Sequence, residues 1–329
     1  MKTRKLGWTD LNLTTVGLGT FAIGGTGWAA SWGPQDDNDS IATILRSLDQ
    51  GINWIDTAAI YGLGHAEKIV GKALRGMSQK PIISTKCGLL GGEKGDIIFR
   101  LKKESIRAEV EDSLRRLNID VIDLYHVHWP IPDEDIEEAW ETIAKLIKEG
   151  KVRYAAASNF NIDQLKRVHA IHPVAALQNP YNMIERGLET ELMDYCRQND
   201  IGIVVWGPIA HGLLSGRFNQ ERLKKLNKED SFRRNVSDFF KEPQVSLNIE
   251  LAEKLRPIAE RNGRTVTQLA IAWVLRRPEV TSAIVGARKP SQIEEIAAAG
   301  DWELPEESIA EIEKLLVERD KALKLAERR

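Results

Sequence analysis

The chain has 329 residues, 42% of them hydrophobic, with 46 Lys and Arg against 48 Asp and Glu. A net charge of −2 gives no electrostatic case for nucleic acid or a membrane surface. No segment approaches the roughly 18 uninterrupted apolar residues of a membrane span, the start lacks the apolar run of a signal peptide, and Cys87 and Cys196 form neither a disulfide framework nor a metal pattern, so they read as reduced thiols in a cytoplasmic protein.

Residues 1–15 predict a small hairpin turning at Gly7 to Asp10. Thr15-Val-Gly-Leu-Gly-Thr20 then gives a first apolar strand, and after a loop rich in Gly and Trp a helix follows over 40–50, with Ile41, Ile44, Leu45 and Leu48 at helical spacing. From there strand and helix alternate. Seven further strands are expected near 53–56, 82–86, 121–128, 153–157, 174–178, 202–206 and 281–285. Helices are expected near 66–75, 102–117, 136–149, 161–170, 188–199, 265–276 and 291–298. Capping signatures support three of them: Asn161 with Gln164, Thr265 with Gln268, and Ser291 with Glu294. Gly76 and Gly150 stand where left-handed helix ends belong. Residues 207–245 read as a surface loop over the rim, followed by an extra helix over 247–262. A second extra helix, amphipathic and charged, spans 306–329 and ends in a solvated Arg328-Arg329. Eight βα units in one chain predict an α/β fold: a single-domain (β/α)8 TIM barrel over 1–329, with an N-terminal β-hairpin and two extra helices.

Three of the strands end on chemistry. The run Gly51-Ile-Asn-Trp-Ile reaches Asp56, with Tyr61 five residues on in a glycine-containing loop; Ile82-Ile-Ser-Thr reaches Lys86; Leu124-Tyr-His-Val reaches His128. The carboxyl rim of a parallel barrel is where catalytic groups collect. A free phenol, with a pKa of about 10, is a poor proton donor at neutral pH. A nearby ammonium would lower that value, a histidine could hydrogen-bond the same oxygen, and an aspartate would hold the lysine charged. The set suits protonation of an oxygen that becomes an alkoxide, as reduction of a carbonyl by hydride requires.

Two other patterns stand in the sequence. Gly62-Leu-Gly-His-Ala-Glu67 approaches the dinucleotide fingerprint but ends in Glu, so a nicotinamide enzyme here would use the barrel rim, not a Rossmann crevice. His126 and His128 share one face of a strand, as metal-binding pairs do in barrel hydrolases. The remaining histidines, His65, His169, His172 and His211, fall on loops or helices, so no metal is expected. His126 is expected one layer deeper in the barrel, neutral and hydrogen-bonded.

In order along the chain stand Gly17-Leu-Gly-Thr20, Asp-Thr-Ala-x-x-Tyr-Gly at 56–62, Glu67 with Gly71-Lys-Ala-Leu74, Ser84-Thr-Lys86 and Asp120-x-Ile-Asp-Leu-Tyr-x-x-His-Trp-Pro130. Gly150-Lys-Val-Arg153, Ser158-Asn-Phe160 and Gln178-x-x-Tyr-Asn182 follow. Over nearly its whole length the chain resembles the aldo-keto reductases, and most of all the bacterial branch that is also similar to potassium-channel β subunits. The resemblance implies a catalytic tetrad of Asp56, Tyr61, Lys86 and His128, with Tyr61 as general acid. It implies nicotinamide contacts from Thr20, Ser158, Asn159 and Gln178. The ring would stack on Trp206, where many members carry tyrosine.

Phosphate and adenosine contacts would come from two segments. Gly207, Pro208, Ile209, Gly212, Leu213, Ser215, Gly216 and Arg217 would take the pyrophosphate. Gly286, Arg288, Gln292 and Glu295, at the start of a capped helix, would take the adenosine side. Arg288 is placed for a 2′-phosphate, which favours NADPH (NADP+). Ile296 stands where many relatives have Asn. Trp28, Trp32 and Trp129, with loop residues around Phe232, would wall the pocket for a small-molecule carbonyl substrate. The implied function is NADPH-dependent reduction of aldehydes or reactive ketones. The alternative is a nicotinamide-sensing regulatory subunit with little turnover, and a homo-oligomer is compatible with either.

Overall fold

The computed structural model describes residues 1–328. The hairpin comes first, β1 (Thr3–Lys5) and β2 (Asn12–Thr14), and β3 (Val16–Gly19) opens the barrel. Next come α1 (Asp37–Asp49), β4 (Trp54–Asp56), α2 (His65–Ala73) and β5 (Ile82–Cys87). A second ribbon, β6 (Leu89–Gly91) and β7 (Ile97–Phe99), precedes α3 (Lys103–Leu117). The alternation continues as β8 (Ile122–Val127), α4 (Ile136–Lys148), β9 (Val152–Ser158), α5 (Ile162–His169), β10 (Ala176–Pro180), α6 (Glu191–Gln198) and β11 (Gly202–Trp206). Then come the short α7 (Gln220–Lys224), α8 (Gln244–Arg261), α9 (Val266–Leu275), β12 (Val280–Gly286), α10 (Pro290–Ala297) and α11 (Glu306–Ala326). Arg328 is described and exposed; Arg329, the end of the expected last helix, lies outside the described residues.

Eight parallel strands close in the order β3-β4-β5-β8-β9-β10-β11-β12. This is the expected (β/α)8 barrel, with α8 and α11 as the extra helices. Because strand side chains alternate, the inward set is fixed: Trp54 and Asp56, Ser84 and Lys86, Leu124, His126 and His128, Ala156 and Ser158, Ala176 and Gln178, Val204 and Trp206. The lower layers are apolar. Leu6, Leu11 and Leu13 of the hairpin pack against Trp54, Leu124, Ala156, Ala176, Val204 and Ile284, so the hairpin plugs the amino-terminal end. Gly17 is required there, because a Cβ on it would fall 2.1 Å from the Trp54 indole. That indole donates to Ser282 Oγ at 3.0 Å. The apolar bottom leaves the polar inward residues for the opposite rim.

The capping boxes at Asn161 and Thr265 form as expected, and Gly150 takes φ +76° with Lys151 N donating to Leu146 O at 3.0 Å. The third helix start differs. α10 begins at Pro290, not after Ser291, because proline presets the first helical position. Gln292 Oε1 then accepts from the backbone N–H groups of Arg288 (2.8 Å) and Lys289 (3.1 Å).

Candidate active site

Asp56 closes β4, Lys86 lies one residue from the end of β5, and His128 directly follows β8. Tyr61 sits on the turn that leads into α2. The register brings their side chains together inside the rim. Lys86 Nζ donates to Asp56 Oδ2 (2.7 Å), Thr57 O (2.8 Å) and Tyr61 OH (3.3 Å), so all three ammonium hydrogens have partners. Asp56 Oδ1 accepts from Ser84 Oγ (3.0 Å) and Gln178 Nε2 (2.9 Å). The Lys86 and Asp56 side chains are only 0% and 4% exposed. A buried ion pair is tolerable only when its remaining hydrogen-bonding capacity is met, as here.

Two expectations about this cluster need correction. Burial raises the Tyr61 phenol above its ordinary value; the Lys86 charge works against this and Asp56 adds to it, so the net direction is up, not down. Tyr61 is therefore held protonated. Burial works against the charge on Lys86, but Asp56 and Tyr61 outweigh it and hold the ammonium above its usual range. His128 meets Tyr61 ring to ring, with centroids 5.7 Å apart at 75°, instead of through a hydrogen bond to its oxygen. Burial and the Lys86 charge keep His128 well below the usual histidine range, hence neutral. His126 is one layer deeper and also neutral, its pKa lowered by burial and the Lys86 charge, with the Ala157 backbone opposing the shift.

A cleft of about 480 Å³ opens above Tyr61. Ser158, Asn159, Gln178 and Trp206 form its floor. Asn159, at φ +64°, donates to His128 O (2.9 Å) and Ser158 Oγ (3.1 Å) and accepts the Trp206 indole N–H (3.1 Å). It is a brace between three strand ends, leaving Ser158 Oγ and Gln178 Oε1 to meet a ligand. Thr20 does not reach the cleft: it is fully buried and its hydroxyl has no partner.

Beyond Trp206, Gly207, Pro208, Ile209, Gly212 and Ser215 line the cleft, as do Gly286, Arg288 and Gln292 across from them. Leu213, Gly216 and Glu295 do not; Leu213 is fully buried. Four arginines, Arg217, Arg222, Arg233 and Arg288, line this part, and among the described residues Asp56 is the sole carboxylate of the lining. Basic lining, amide acceptors and a flat indole fit a nicotinamide dinucleotide. Two expected anion contacts are, however, already engaged. Arg217 grips Glu295 at 2.9 and 3.0 Å. Arg288 donates to Gln35 Oε1 (2.6 Å), Trp32 O (3.2 Å) and Pro34 O. The start of α10 is likewise capped from within by Gln292.

Residues 207–245 are more than a surface loop. Phe218, Phe232, Arg233 and Val236 line the cleft. Arg233 stacks 3.8 Å over Trp32, pairs with buried Asp230 at 2.6 Å and donates to His211 O at 3.1 Å. His211 is packed against Phe232, and burial together with Arg233 lowers its pKa to about 3. The basic insertion over a rim was the available signal for Arg233. The sequence reading also missed Leu89, Ile97 and Phe99, which line the mouth beside Trp28, Trp32 and Trp129. Their signal is apolar alternation around a glycine-rich turn at 91–95. Among the described residues no group of three His, Cys, Asp or Glu could hold a metal ion, and no helix is long and apolar enough to cross a membrane.

The aldo/keto reductase family model matches residues 15–317. The chain is 38% identical over 312 residues to aldo-keto reductase YhdN of Bacillus subtilis, covering 94% of this chain and 91% of that one. It is 35% identical over 313 residues to the NADH-specific methylglyoxal reductase of Escherichia coli, with 91% and 93% covered. Among solved structures, the glycerol dehydrogenase AKR11B4 of Gluconobacter oxydans superposes with a TM-score of 0.86 at 35% identity, covering 96% and 95% of the two chains. The aldo-keto reductase AKR11C1 of Bacillus halodurans gives 0.79 at 28%, with 96% of each chain covered.

Proposed function

Because the chain belongs to the aldo/keto reductase family, whose reaction is carbonyl reduction with a nicotinamide cofactor, we propose that it reduces aldehydes or reactive ketones with NADPH and that Tyr61 is the general acid. The observation that carries this reading is the Lys86 ammonium, buried, bonded to Asp56, and 3.3 Å from the Tyr61 hydroxyl at the base of the cleft. A bound nicotinamide supplies hydride to the carbonyl carbon. Tyr61 donates its proton to the carbonyl oxygen, which an alkoxide, a far stronger base than a phenolate, accepts readily even from a phenol whose pKa is raised. Lys86 stabilises the phenolate left behind, and Asp56 holds Lys86 charged and aimed. Neutral His128 packs against the Tyr61 ring and limits where the substrate oxygen can sit. Ser158 and Gln178 would orient the carboxamide, Trp206 would stack on the ring, and Arg288 would favour the 2′-phosphate.

One relative, from E. coli, is named as NADH-specific, so cofactor choice is tested directly. The deciding experiment follows oxidation of NADPH and of NADH by the pure protein with methylglyoxal, an aromatic aldehyde, an aliphatic aldehyde and a sugar, with Tyr61→Phe alongside. Turnover that needs Tyr61 and prefers NADPH is expected. Full turnover by Tyr61→Phe removes its assigned role, and an NADH preference removes that of Arg288. Tight cofactor binding with no turnover on any carbonyl would favour a sensor.

A further inference from the structure

The mouth of the cleft beyond Tyr61 is walled by an element that the proposed chemistry does not use, the β6–β7 ribbon. Leu89 pairs with Phe99 and Gly91 with Ile97, so Leu89, Ile97 and Phe99 share one face of the ribbon. All three line the cleft, together with Trp28 and Trp129. This wall offers a ligand almost no polarity. The Trp28 indole N–H is already bonded to Gly25 O at 3.1 Å, which leaves the Trp129 indole as its one side-chain donor.

A two-stranded ribbon by itself is marginal in water, and this one is anchored at both ends. At its root Gly88 N donates to the buried Glu109 carboxylate at 2.9 Å, and Arg100 N donates to Gly88 O at 3.0 Å. At its tip Ala29 N donates to Gly95 O at 2.9 Å. Gly95 stands at φ +76°, and a Cβ there would fall 2.5 Å from Gly27 O. The ribbon and the Trp28 loop thus form one surface, held by backbone contacts that admit no side chain at the tip.

We infer, resting on the reductase reading above, that the β6–β7 ribbon is the specificity-determining wall of the carbonyl pocket, and that it selects carbonyl compounds with an apolar or aromatic tail over polyhydroxylated or carboxylated ones. A hydroxyl or carboxylate laid against Leu89, Ile97 and Phe99 would leave water without gaining a partner. A methylene or phenyl group gains there what it loses in bulk water.

The test compares kcat/KM for hexanal and benzaldehyde with that for glyceraldehyde and succinic semialdehyde, in the native protein, in Phe99→Ser and in Gly95→Ala. Phe99 is 41% exposed, so its replacement leaves the barrel core untouched. The native protein should favour the apolar pair by about a hundredfold, and Phe99→Ser should lose about tenfold on that pair, the range a lost pocket contact gives. The loss should lie in KM, with glyceraldehyde turnover and cofactor affinity unchanged. Gly95→Ala should act in the same direction by loosening the tip. Equal or better use of glyceraldehyde by the native protein overturns the inference, as does an equal loss on both classes in Phe99→Ser. If no aldehyde is turned over, the reductase reading fails separately. The wall is then read by benzaldehyde binding, followed by tryptophan fluorescence. Binding weakened by Phe99→Ser supports the wall, and binding no tighter than that of glyceraldehyde sinks it.

Discussion

The two ends of the cleft are built on different principles. At the Tyr61 end Asp56, Lys86 and Gln178 hang from barrel strands, and with Tyr61 on the turn beside them they share one set of hydrogen bonds: Lys86 to Asp56, Thr57 and Tyr61, and Asp56 to Ser84 and Gln178. At the arginine end the groups come from loops that hold one another. Arg233 lies on Trp32 and His211, Arg288 on Trp32, Pro34 and Gln35, and Arg217 on Glu295. Geometry set by strands is costly to disturb and suits proton transfer. Geometry set by loop contacts can be exchanged for contacts to a ligand, as a site that must admit a long anionic molecule requires.

The largest effects should come from the strand-built end. Tyr61→Phe should lower kcat/KM by about a thousandfold, within the span of general-acid contributions. Cofactor affinity should not change, because the Lys86–Asp56 pair survives; a fluorescence titration beside the kinetics checks this. Lys86→Met should do more damage, because it leaves the Asp56 carboxylate buried without its counter-charge. Losing one partner of a buried pair costs about 3–5 kcal/mol, visible in urea unfolding at neutral pH. A Lys86→Met variant as stable as the native protein would mean that this pair does not hold the floor together.

A second, smaller effect tests the root of the ribbon. Burial raises the Glu109 carboxyl to about 7, against an ordinary 4.5, although the Gly88 N–H and Ser105 hydroxyl oppose the rise. Between those two values the folded chain keeps a proton that the unfolded chain has lost, so stability falls as pH rises through that window. The decline is on the order of 3 kcal/mol in all. Glu109→Gln keeps an acceptor for Gly88 N and removes the titration, so its unfolding free energy should be flatter from pH 4.5 to 7. An unchanged slope would place the pH dependence elsewhere.

The same contrast explains what could be read from the sequence. The barrel and the strand-end residues Asp56, Lys86 and His128 were legible, because strand periodicity decides which residues face inward and where each strand ends; Ser158, Asn159, Gln178 and Trp206 came from the resemblance. The net direction of the Tyr61 pKa was not legible, since it depends on how deeply burial outweighs a neighbouring charge. Arg233, His211 and the ribbon face of Leu89, Ile97 and Phe99 were missed because loop–loop docking leaves no periodic trace. Thr20 and Glu295 were assigned by resemblance alone, and neither lines the cleft: Thr20 is fully buried and Glu295 is paired with Arg217.

The smallest expected effect concerns the loop-built end and bears directly on that contrast. Arg288 is half-buried and gives one N–H each from Nε, Nη1 and Nη2 to Gln35, Trp32 and Pro34. A guanidinium has five, so two remain for an anion. If it reads the 2′-phosphate, Arg288→Ala should raise KM for NADPH about tenfold, in keeping with the strength of a charge-assisted hydrogen bond. KM for NADH and kcat with either cofactor should stay as they were. Gln35→Ala separates this role from loop stapling, since it removes one of the groups that hold Arg288 but keeps the charge. It should therefore change the NADPH-to-NADH ratio far less. Should Arg288→Ala weaken both cofactors equally, and Gln35→Ala do the same, the arginine fastens the Trp32 loop to the start of α10, and discrimination between the two cofactors must come from Arg217, Arg222 or Arg233.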